Sequence, residues 1–326
     1  MTTFASDASE KFGPNRERLP ARERWVLAID GGGIRGIIPA TICEHIERKT
    51  GRKIYELFDM CAGTSTGGIL CLGFSRPPHG IPAKEMLRLY TEKAGNIFGF
   101  RRRLIWYAAF PRYSYRSFEQ LLWEQFCEAR LSDCLTETVI TSYDIRLRQP
   151  HIFRRRDARR DPTQDTLMKE IARATSAAPT YFAPAAVMGT SLIDGGVFAN
   201  DPSLAAYIEA KLLWPDDRIR VVSLGTGSLV SPILRRRAAR WGAARWATAI
   251  VDCAFDGTSK MTEKIMQALL ADDYLRFQCC LGKGSERLDG VSEINLAELQ
   301  RVANDLLKDR QNDIYKLCND LRLKKS

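Results

Sequence analysis

The chain has 326 residues, 45% of them hydrophobic, and a formal net charge of +10. That length supports a substantial core, and no apolar run approaches the roughly 18 residues of a membrane-spanning helix. The nine cysteines are scattered without a C-x-x-C pair, which favours a reducing compartment over a disulfide framework or a zinc site.

The first predicted elements are a leader, a strand and a helix. Residues 1–24 are polar and lack the apolar segment of a signal peptide, so we expect a flexible leader in a cytoplasmic protein. WVLAID, at 25–30, predicts a buried strand. A glycine-rich turn and a helix over 37–50 follow, and Pro39 fits the first turn of that helix. A second short strand is predicted at 58–62, with a helix from about Gly67.

The rest of the chain alternates between the two kinds of element. Helices are predicted after Asp201-Pro202 and at 83–95, 115–129 and 166–176, and strands at 138–145, 152–155, 192–193 and 220–224. This order predicts one α/β domain over 25–326, with three α/β/α layers around a mostly parallel sheet. Apolar residues at helical spacing predict C-terminal helices, docked on the core, at about 294–322.

The stretch Gly63-Thr64-Ser65-Thr66-Gly67 has the G-x-S-x-G spacing of a serine hydrolase elbow. Glycines at its two ends permit a tight turn from strand to helix. Ser65 would then lie exposed at a helix start, where backbone N–H groups favour negative charge. Small residues at this spacing also occur in ordinary turns, but the strand before it and the helix after it favour a nucleophile.

A serine nucleophile needs a base, and the histidines are poorly placed for that role. They lie at 45, 79 and 151, so the late histidine of α/β-hydrolases is missing. Asp194, in SLIDGGV, follows a predicted strand, and Gly195 and Gly196 allow a sharp turn beside it. Desolvation would raise the pKa of this carboxyl and make it a better general base. The competing interpretation is a simple turn aspartate.

The sequence DGGGIRG, residues 30–36, offers backbone donors for an oxyanion at Gly31, Gly32 and Gly33. Arg35 would add positive charge or brace the loop. The same loop satisfies G-x-G-x-x-G, so a dinucleotide site is a competing interpretation. That site needs an acidic residue at the end of the second strand, where the sequence has Gly-Thr-Ser-Thr-Gly.

Taken together, these motifs resemble the patatin-like phospholipase family over about residues 25–280. The resemblance is carried by 30–36, 63–67 and 194–196, with further likeness at 177–179, 200–202 and 222–227. Asp201 departs from the family pattern, in which many members have asparagine. The resemblance implies a nucleophile elbow and a Ser65–Asp194 dyad that forms an acyl-enzyme from a lipid ester. Amides near Gly32 and Gly33 would hold the oxyanion, without a metal or another cofactor.

The resemblance also extends to some compact bacterial members, which are anti-phage effectors switched on by a cyclic nucleotide. It implies a cytoplasmic enzyme that attacks phospholipids at the inner face of the membrane. A cyclic di- or trinucleotide would activate it, and the active form would be a homo-oligomer. One alternative is a constitutive (lyso)phospholipase of lipid turnover. The other is a non-hydrolytic module that binds a nucleotide through the glycine loop.

Three basic segments stand outside the motifs. LRRRAARWGAARW, at 234–246, is predicted as one helix that stacks Arg236 over Arg240. It would suit an anionic bilayer, a phosphate-bearing ligand or a subunit contact, or form a solvated face. Residues 99–107 would cover the cleft, touch lipid or form an ordinary loop. Residues 153–160 would cap a strand and enter solvent, and they are too short to indicate nucleic-acid binding.

Overall fold

A computed structural model describes residues 22–98, 111–114, 116–282 and 287–324. Residues 1–21 of the predicted leader and the whole 99–107 segment lie outside the described residues. The first strand begins at Glu23, so the last two residues of the predicted leader, at 23 and 24, belong to the sheet.

The described residues form eight strands and fourteen α-helices. The strands are β1 Glu23–Ile29, β2 Met60–Thr64, β3 Glu137–Asp144, β4 Gln149–Arg154, β5 Ala185–Val187, β6 Thr190–Asp194, β7 Arg218–Leu224 and β8 Tyr274–Phe277. The helices are α1 Ile37–Thr50, α2 Ile54–Leu57, α3 Thr66–Ser75, α4 Ala83–Thr91, α5 Ala94–Phe98, α6 Arg116–Phe126, α7 Arg155–Arg160, α8 Met168–Thr175, α9 Gly196–Ala199, α10 Ser203–Leu213, α11 Arg235–Ala238, α12 Ala243–Leu270, α13 Glu293–Asp309 and α14 Gln311–Leu323. Within the described ranges, none of these helices has the length and apolarity needed to cross a bilayer.

All eight strands belong to one sheet, in the order β5-β6-β3-β2-β1-β7-β8, and β4 pairs with β3. Strands β3, β2, β1, β7 and β8 run parallel to one another, whereas β4, β5 and β6 add antiparallel pairs at one end. The predicted α/β fold with a mostly parallel sheet is confirmed.

Side chains of β1 alternate between the two faces of the sheet, as the pleat requires. Trp25, Leu27 and Ile29 enter the larger core, formed with α1, α3, α8, α13 and α14. Val26 and Ala28 enter a smaller core against α10 and α12. Both faces of β1 are therefore covered, which agrees with its unbroken apolar run from Trp25 to Ile29.

The register of β3 brings two strand ends together. Thr64, at the end of β2, pairs with Thr141, and Asp194, at the end of β6, pairs with Ser142. Strand β4 occupies one side of β3 along residues 139–144, so β2 and β6 share the other side. Because Thr141 and Ser142 are consecutive in β3, Ser65, the residue after β2, lies beside Asp194, the last residue of β6.

Several predicted elements need correction. Strand β2 starts at Met60, two residues later than predicted, and the predicted helix at 83–95 is divided into α4 and α5. Strands β5 and β8 were not predicted. The sequence of β8, Tyr-Leu-Arg-Phe, does not indicate a buried strand, because an arginine interrupts its apolar pattern. The apolar C-terminal positions form two helices, α13 and α14, packed on α1.

The prediction of one helix over 234–246 is wrong. Helix α11 ends at Ala238, and α12 begins only after Gly242, which has the extended backbone of an N-cap residue. Arg236 therefore does not stack over Arg240 in a continuous helix. A repulsive pair at that spacing and a glycine that favours a new helix start both work against one helix.

A buried charged cluster lies at the carboxyl ends of the central strands. Arg276, in β8, makes two hydrogen bonds to Asp30, at 2.7 and 2.6 Å, and approaches Asp201 to 3.3 Å. All three side chains are almost fully buried. Burial raises the pKa of Asp30, and the Arg276 guanidinium offsets part of that rise.

We expect Arg276→Leu to lower the free energy of unfolding by about 3–5 kcal/mol, because it leaves two carboxylates buried without a cation. Urea unfolding followed by circular dichroism measures the loss. The matched control is Arg301→Leu, since Arg301 forms only exposed ion pairs on α13 and its loss should scarcely move the midpoint. Equal shifts for the two variants would contradict the expectation.

Candidate active site

Ser65 occupies a strained position between β2 and α3. Its φ of 54° and ψ of −121° lie outside the regions that non-glycine residues ordinarily adopt. The turn is tight enough that a Cβ at Gly63 would collide with the Gly67 backbone, and one at Gly67 with the Ile29 backbone. These two positions therefore require glycine, and the elbow places Ser65 at the start of α3. Ser65 is buried there, not exposed as the motif predicts, because neighbouring elements pack around the turn.

Threonine side chains fasten the elbow to its neighbours. The Ser65 amide donates to Thr175 Oγ1 at 2.8 Å, and that hydroxyl donates to the Thr141 carbonyl at 2.7 Å. The Thr64 hydroxyl donates to the Ala199 carbonyl at 2.6 Å. Sequence reasoning missed Thr175, because no motif marks a residue 110 positions from its partner.

Asp194 lies at the end of β6 and is completely buried. Its Oδ1 accepts the Gly196 amide at 2.8 Å, while Oδ2 has no hydrogen bond of ordinary geometry among the described residues. Burial raises the pKa of Asp194 to about 7, although the Gly196 amide and the nearby Ser65 hydroxyl lower it in part. A carboxylate with one unpaired oxygen and a raised pKa is suited to accept a proton from Ser65.

The two glycines after Asp194 lie against other elements. A Cβ at Gly195 would collide with Thr141 of β3, and one at Gly196 would press into the Phe255 ring of α12. Because neither glycine has a side chain, the backbone fits closely against β3 and α12 and enters α9 directly after Asp194.

Hydrogen bonds orient the glycine loop that follows β1. The Gly31 amide donates to the Asn200 carbonyl at 3.0 Å, so it is already committed. The Gly31 carbonyl accepts the Thr226 hydroxyl at 2.6 Å, and the Gly32 carbonyl accepts Arg35 Nε at 3.3 Å. In a planar trans peptide the next N–H points away from that carbonyl. The amides of Gly32 and Gly33 therefore turn away from Thr226 and Arg35. Neither amide donates a backbone hydrogen bond to another described residue.

Arg35 is buried and lies behind the loop. Besides the Gly32 carbonyl, its guanidinium reaches the Gly227 carbonyl at 3.5 Å. Burial lowers the pKa of Arg35, and Asp252 and Asp256 of α12 oppose that effect. Of the two predicted roles for Arg35, these contacts support bracing of the loop.

An apolar cavity opens beside these groups. Ser65, Asp194 and Gly33 line its polar end. The rest of its wall is mainly apolar and aromatic, including Ile69, Phe98, Phe118, Tyr181, Phe182, Phe255 and Leu288. None of the three histidines lines this cavity. The arrangement can hold a hydrocarbon chain with its reactive end at Ser65.

A family model described as patatin-like phospholipase matches residues 27–207. The chain belongs to this family. Patatin-04/09 from Solanum tuberosum is 32% identical over 325 residues, covering 87% of this chain and 83% of that protein. Patatin-like protein 1 from Oryza sativa subsp. indica is also 32% identical, over 343 residues, covering 89% of this chain and 83% of its own length.

A solved structure, VipD from Legionella pneumophila, aligns with a TM-score of 0.42 at 11% identity, covering 89% of this chain and 67% of that one. The family to which the chain belongs is one of patatin-like lipid acyl hydrolases.

Asp201, the departure from the patatin-like pattern, belongs to the buried cluster. It accepts the Ser203 amide at 2.9 Å and lies 3.3 Å from Arg276. The neighbouring Asn200 uses its carbonyl for Gly31 and its Nδ2 for Ser259 of α12, at 2.9 Å. The acidic residue is thus matched by a buried arginine, which also pairs with Asp30 just before the glycine loop.

We expect Asp194→Asn to stabilise the patatin-like fold at about pH 8 and to leave it unchanged below about pH 3. The pKa of Asp194 is raised from 3.8 to about 7. Between those values the native state keeps a proton that the unfolded state has lost, so stability falls as pH rises. At about 1.4 kcal/mol per pKa unit, the gain has an upper limit of about 4 kcal/mol.

Thermal unfolding of both proteins across this pH range measures that gain. Asp272→Asn, at an exposed aspartate after α12, is the control and should show no pH-dependent gain. A stability difference between Asp194→Asn and wild type that does not change with pH would refute the expectation.

Proposed function

We propose that the chain cleaves fatty-acyl esters of membrane phospholipids with a Ser65–Asp194 dyad, as a phospholipase of the A type. The observation that carries the proposal is a buried Asp194 beside the strained Ser65, both lining an apolar cavity. Among the described residues, Asp194 Oδ2 has no hydrogen bond of ordinary geometry. Membership in the patatin-like phospholipase family supports hydrolysis of lipid esters. Ser65 and Asp194 would provide the nucleophile and the general base.

In the first half of the reaction, Asp194 takes the proton of the Ser65 hydroxyl as Oγ attacks the ester carbonyl carbon. The N–H groups of Gly32 and Gly33 stabilise the negative oxygen of the tetrahedral intermediate. That intermediate collapses, the C–O bond to the alcohol breaks, and Asp194 returns the proton to the departing lysophospholipid. An acyl-enzyme remains on Ser65.

In the second half, Asp194 removes a proton from water, which attacks the acyl carbonyl. The fatty acid leaves, and the proton returns to Ser65. The apolar cavity supports this assignment because it can hold the acyl chain through both halves. Every proton transfer uses groups of this chain, so the proposal includes no cofactor.

The competing nucleotide-binding function has less support. The acidic residue that it needs at the end of the second strand is replaced by the strained Ser65. Gly36 packs against Thr66 and Tyr90, and the Gly33 side of the loop lines the apolar cavity. A pyrophosphate there would meet a mainly apolar wall and the carboxyl of Asp194.

A fatty-acid release assay on mixed phospholipid vesicles tests the dyad. Ser65→Ala and Asp194→Asn should each lower the rate by at least about 1,000-fold, because the nucleophile and its base act as one unit. Wild-type kcat/KM should rise with pH around a midpoint near 7, since the deprotonated Asp194 is the active form.

The control is Ser75→Ala, at a buried serine whose hydroxyl has no hydrogen-bond partner among the described residues. It should keep the wild-type rate. Hydrolysis that survives Ser65→Ala would contradict the dyad. No fatty-acid release from the wild type, together with NAD or ATP binding that survives Ser65→Ala, would favour the nucleotide-binding function.

We also propose that the enzyme works at the inner face of the membrane, as a homo-oligomer activated by a cyclic di- or trinucleotide in anti-phage defence. The proposal is supported by the likeness in size and motifs to compact bacterial members and by the net charge of +10. A cytoplasmic enzyme that attacks the cell's own phospholipids also needs restraint.

The same vesicle assay with a panel of cyclic nucleotides tests this regulation. We expect one nucleotide to raise the rate by at least about tenfold and to shift the sedimentation profile to a larger species. Full activity without any nucleotide would replace this proposal with a constitutive (lyso)phospholipase of lipid turnover.

A further inference from the structure

The segment between β7 and the middle of α12 has an unusual surface, which we name the arginine-tryptophan surface (residues 230–250). It contains five arginines, and no acidic residue occurs anywhere between 218 and 251. Its apolar side chains are 39–57% exposed at Val230, Ile233, Leu234, Trp246 and Ile250. Cationic and large apolar groups therefore face solvent together.

The arginines of this surface differ from the other basic run of the chain. At the end of β4, Arg154 pairs with Glu209 and Arg155 with Glu137, both at 2.6 Å. The run that was expected to enter solvent is thus partly neutralised by carboxylates of α10 and β3. By contrast, no described carboxylate forms an ion pair with the exposed arginines at 235, 236, 237 and 240.

The aromatic residues hold the surface in a defined shape. Trp241 and Trp246 contact each other edge to face, with ring centroids 5.3 Å apart, and Arg245 lies over the Trp241 ring at 4.9 Å. These contacts span the turn between α11 and α12. The surface therefore presents its cations and apolar side chains from a braced turn between two helices.

Helix α12 connects this surface to the catalytic cavity. Phe255 is buried, lines the cavity and packs on Gly196, while Ser259 holds Asn200. Trp246 lies nine residues before Phe255, which is about 14 Å along a helix. That length is close to half the thickness of the hydrocarbon core of a bilayer, about 15 Å.

We propose that the arginine-tryptophan surface docks the enzyme on an anionic phospholipid bilayer and places the cavity mouth within reach of an acyl chain. This inference rests on the proposed phospholipase function. Exposed arginines match the negative surface of the bilayer, and tryptophan and aliphatic side chains enter the boundary between head groups and acyl chains. A soluble phosphate ligand would use the cations but leave the apolar side chains in water.

Vesicle cosedimentation tests the docking surface, with every protein in the Ser65→Ala background so that binding is separated from hydrolysis. The probes are phosphatidylcholine vesicles with and without phosphatidylglycerol. The charge variant replaces four exposed arginines by glutamine, at 235, 236, 237 and 240. The apolar variant is Val230→Ser with Ile233→Ser and Leu234→Ser.

The charge variant should lose at least about 100-fold in affinity for anionic vesicles, since each basic residue contributes near an anionic surface. The apolar variant should lose at least about tenfold in affinity, and that loss should persist at high salt because screening does not affect it. A matched control removes the same charge from four exposed arginines elsewhere, at 48, 88, 159 and 160. It should retain most of the affinity.

Labelling with a soluble fluorophosphonate, carried out with Ser65 present, shows that each variant is folded. The docking proposal would be overturned if the charge variant bound anionic vesicles as tightly as the Ser65→Ala parent protein does. It would also be overturned if the parent protein did not bind vesicles. A charge variant that binds vesicles normally but loses self-association or cyclic-nucleotide binding would overturn it as well. Normal vesicle binding by the protein that carries Ser65, without fatty-acid release in the presence of the cyclic-nucleotide panel, would instead overturn the proposed hydrolysis and leave the docking surface in place.

Discussion

The candidate site depends on two consecutive residues of β3. Thr141 pairs with the end of β2 and Ser142 pairs with the end of β6, so one strand places Ser65 and Asp194 side by side. A shift of either partner by one residue would turn its side chains to the opposite face of the sheet. The Thr175 hydroxyl strengthens this arrangement, since it joins the Ser65 amide to the Thr141 carbonyl.

Burial of Asp194 connects the proposed chemistry to the stability of the fold. Asp194 is fully buried, and its Oδ2 has no hydrogen bond of ordinary geometry among the described residues. Burial favours the protonated form and raises the pKa of Asp194 to about 7. The free-energy cost of burying the charged carboxylate makes Asp194 a better base. The same cost destabilises the fold when the pH exceeds the pKa. The strained backbone of Ser65 adds to this cost, so the packing around both residues has to stabilise them.

The glycine loop shows how distant parts of the chain prepare one group of donors. Thr226 and Arg35 hold the carbonyls of Gly31 and Gly32 from behind, so the next two amides turn the other way. Behind Arg35 lie Asp252 and Asp256 of α12, and the same helix carries Phe255 into the cavity. Helix α12 therefore contributes to the loop, the cavity and the exposed arginine-tryptophan surface.

The amino-acid sequence by itself determined the alternation of strands and helices, the elbow spacing and the position of the Asp-Gly-Gly turn. These features are local, because small residues and apolar periodicity appear within a few consecutive positions. The family could also be identified from them, and the family model confirms it. The break at Gly242 and the buried arginine in β8 defeated the same reasoning, because the first depends on a turn and the second on distant carboxylates.

Only the tertiary structure decided which groups are free and which are committed. The sequence predicts the Gly31 amide as an oxyanion donor, but in the structure it donates to the Asn200 carbonyl. The Asp30–Arg276 pair joins residues 246 positions apart. The tertiary structure also distinguishes the arginines at the end of β4, which pair with carboxylates, from the exposed arginines after β7. Hydrogen bonds, burial and charge pairing depend on distances between remote segments, and a sequence pattern carries no measure of those distances.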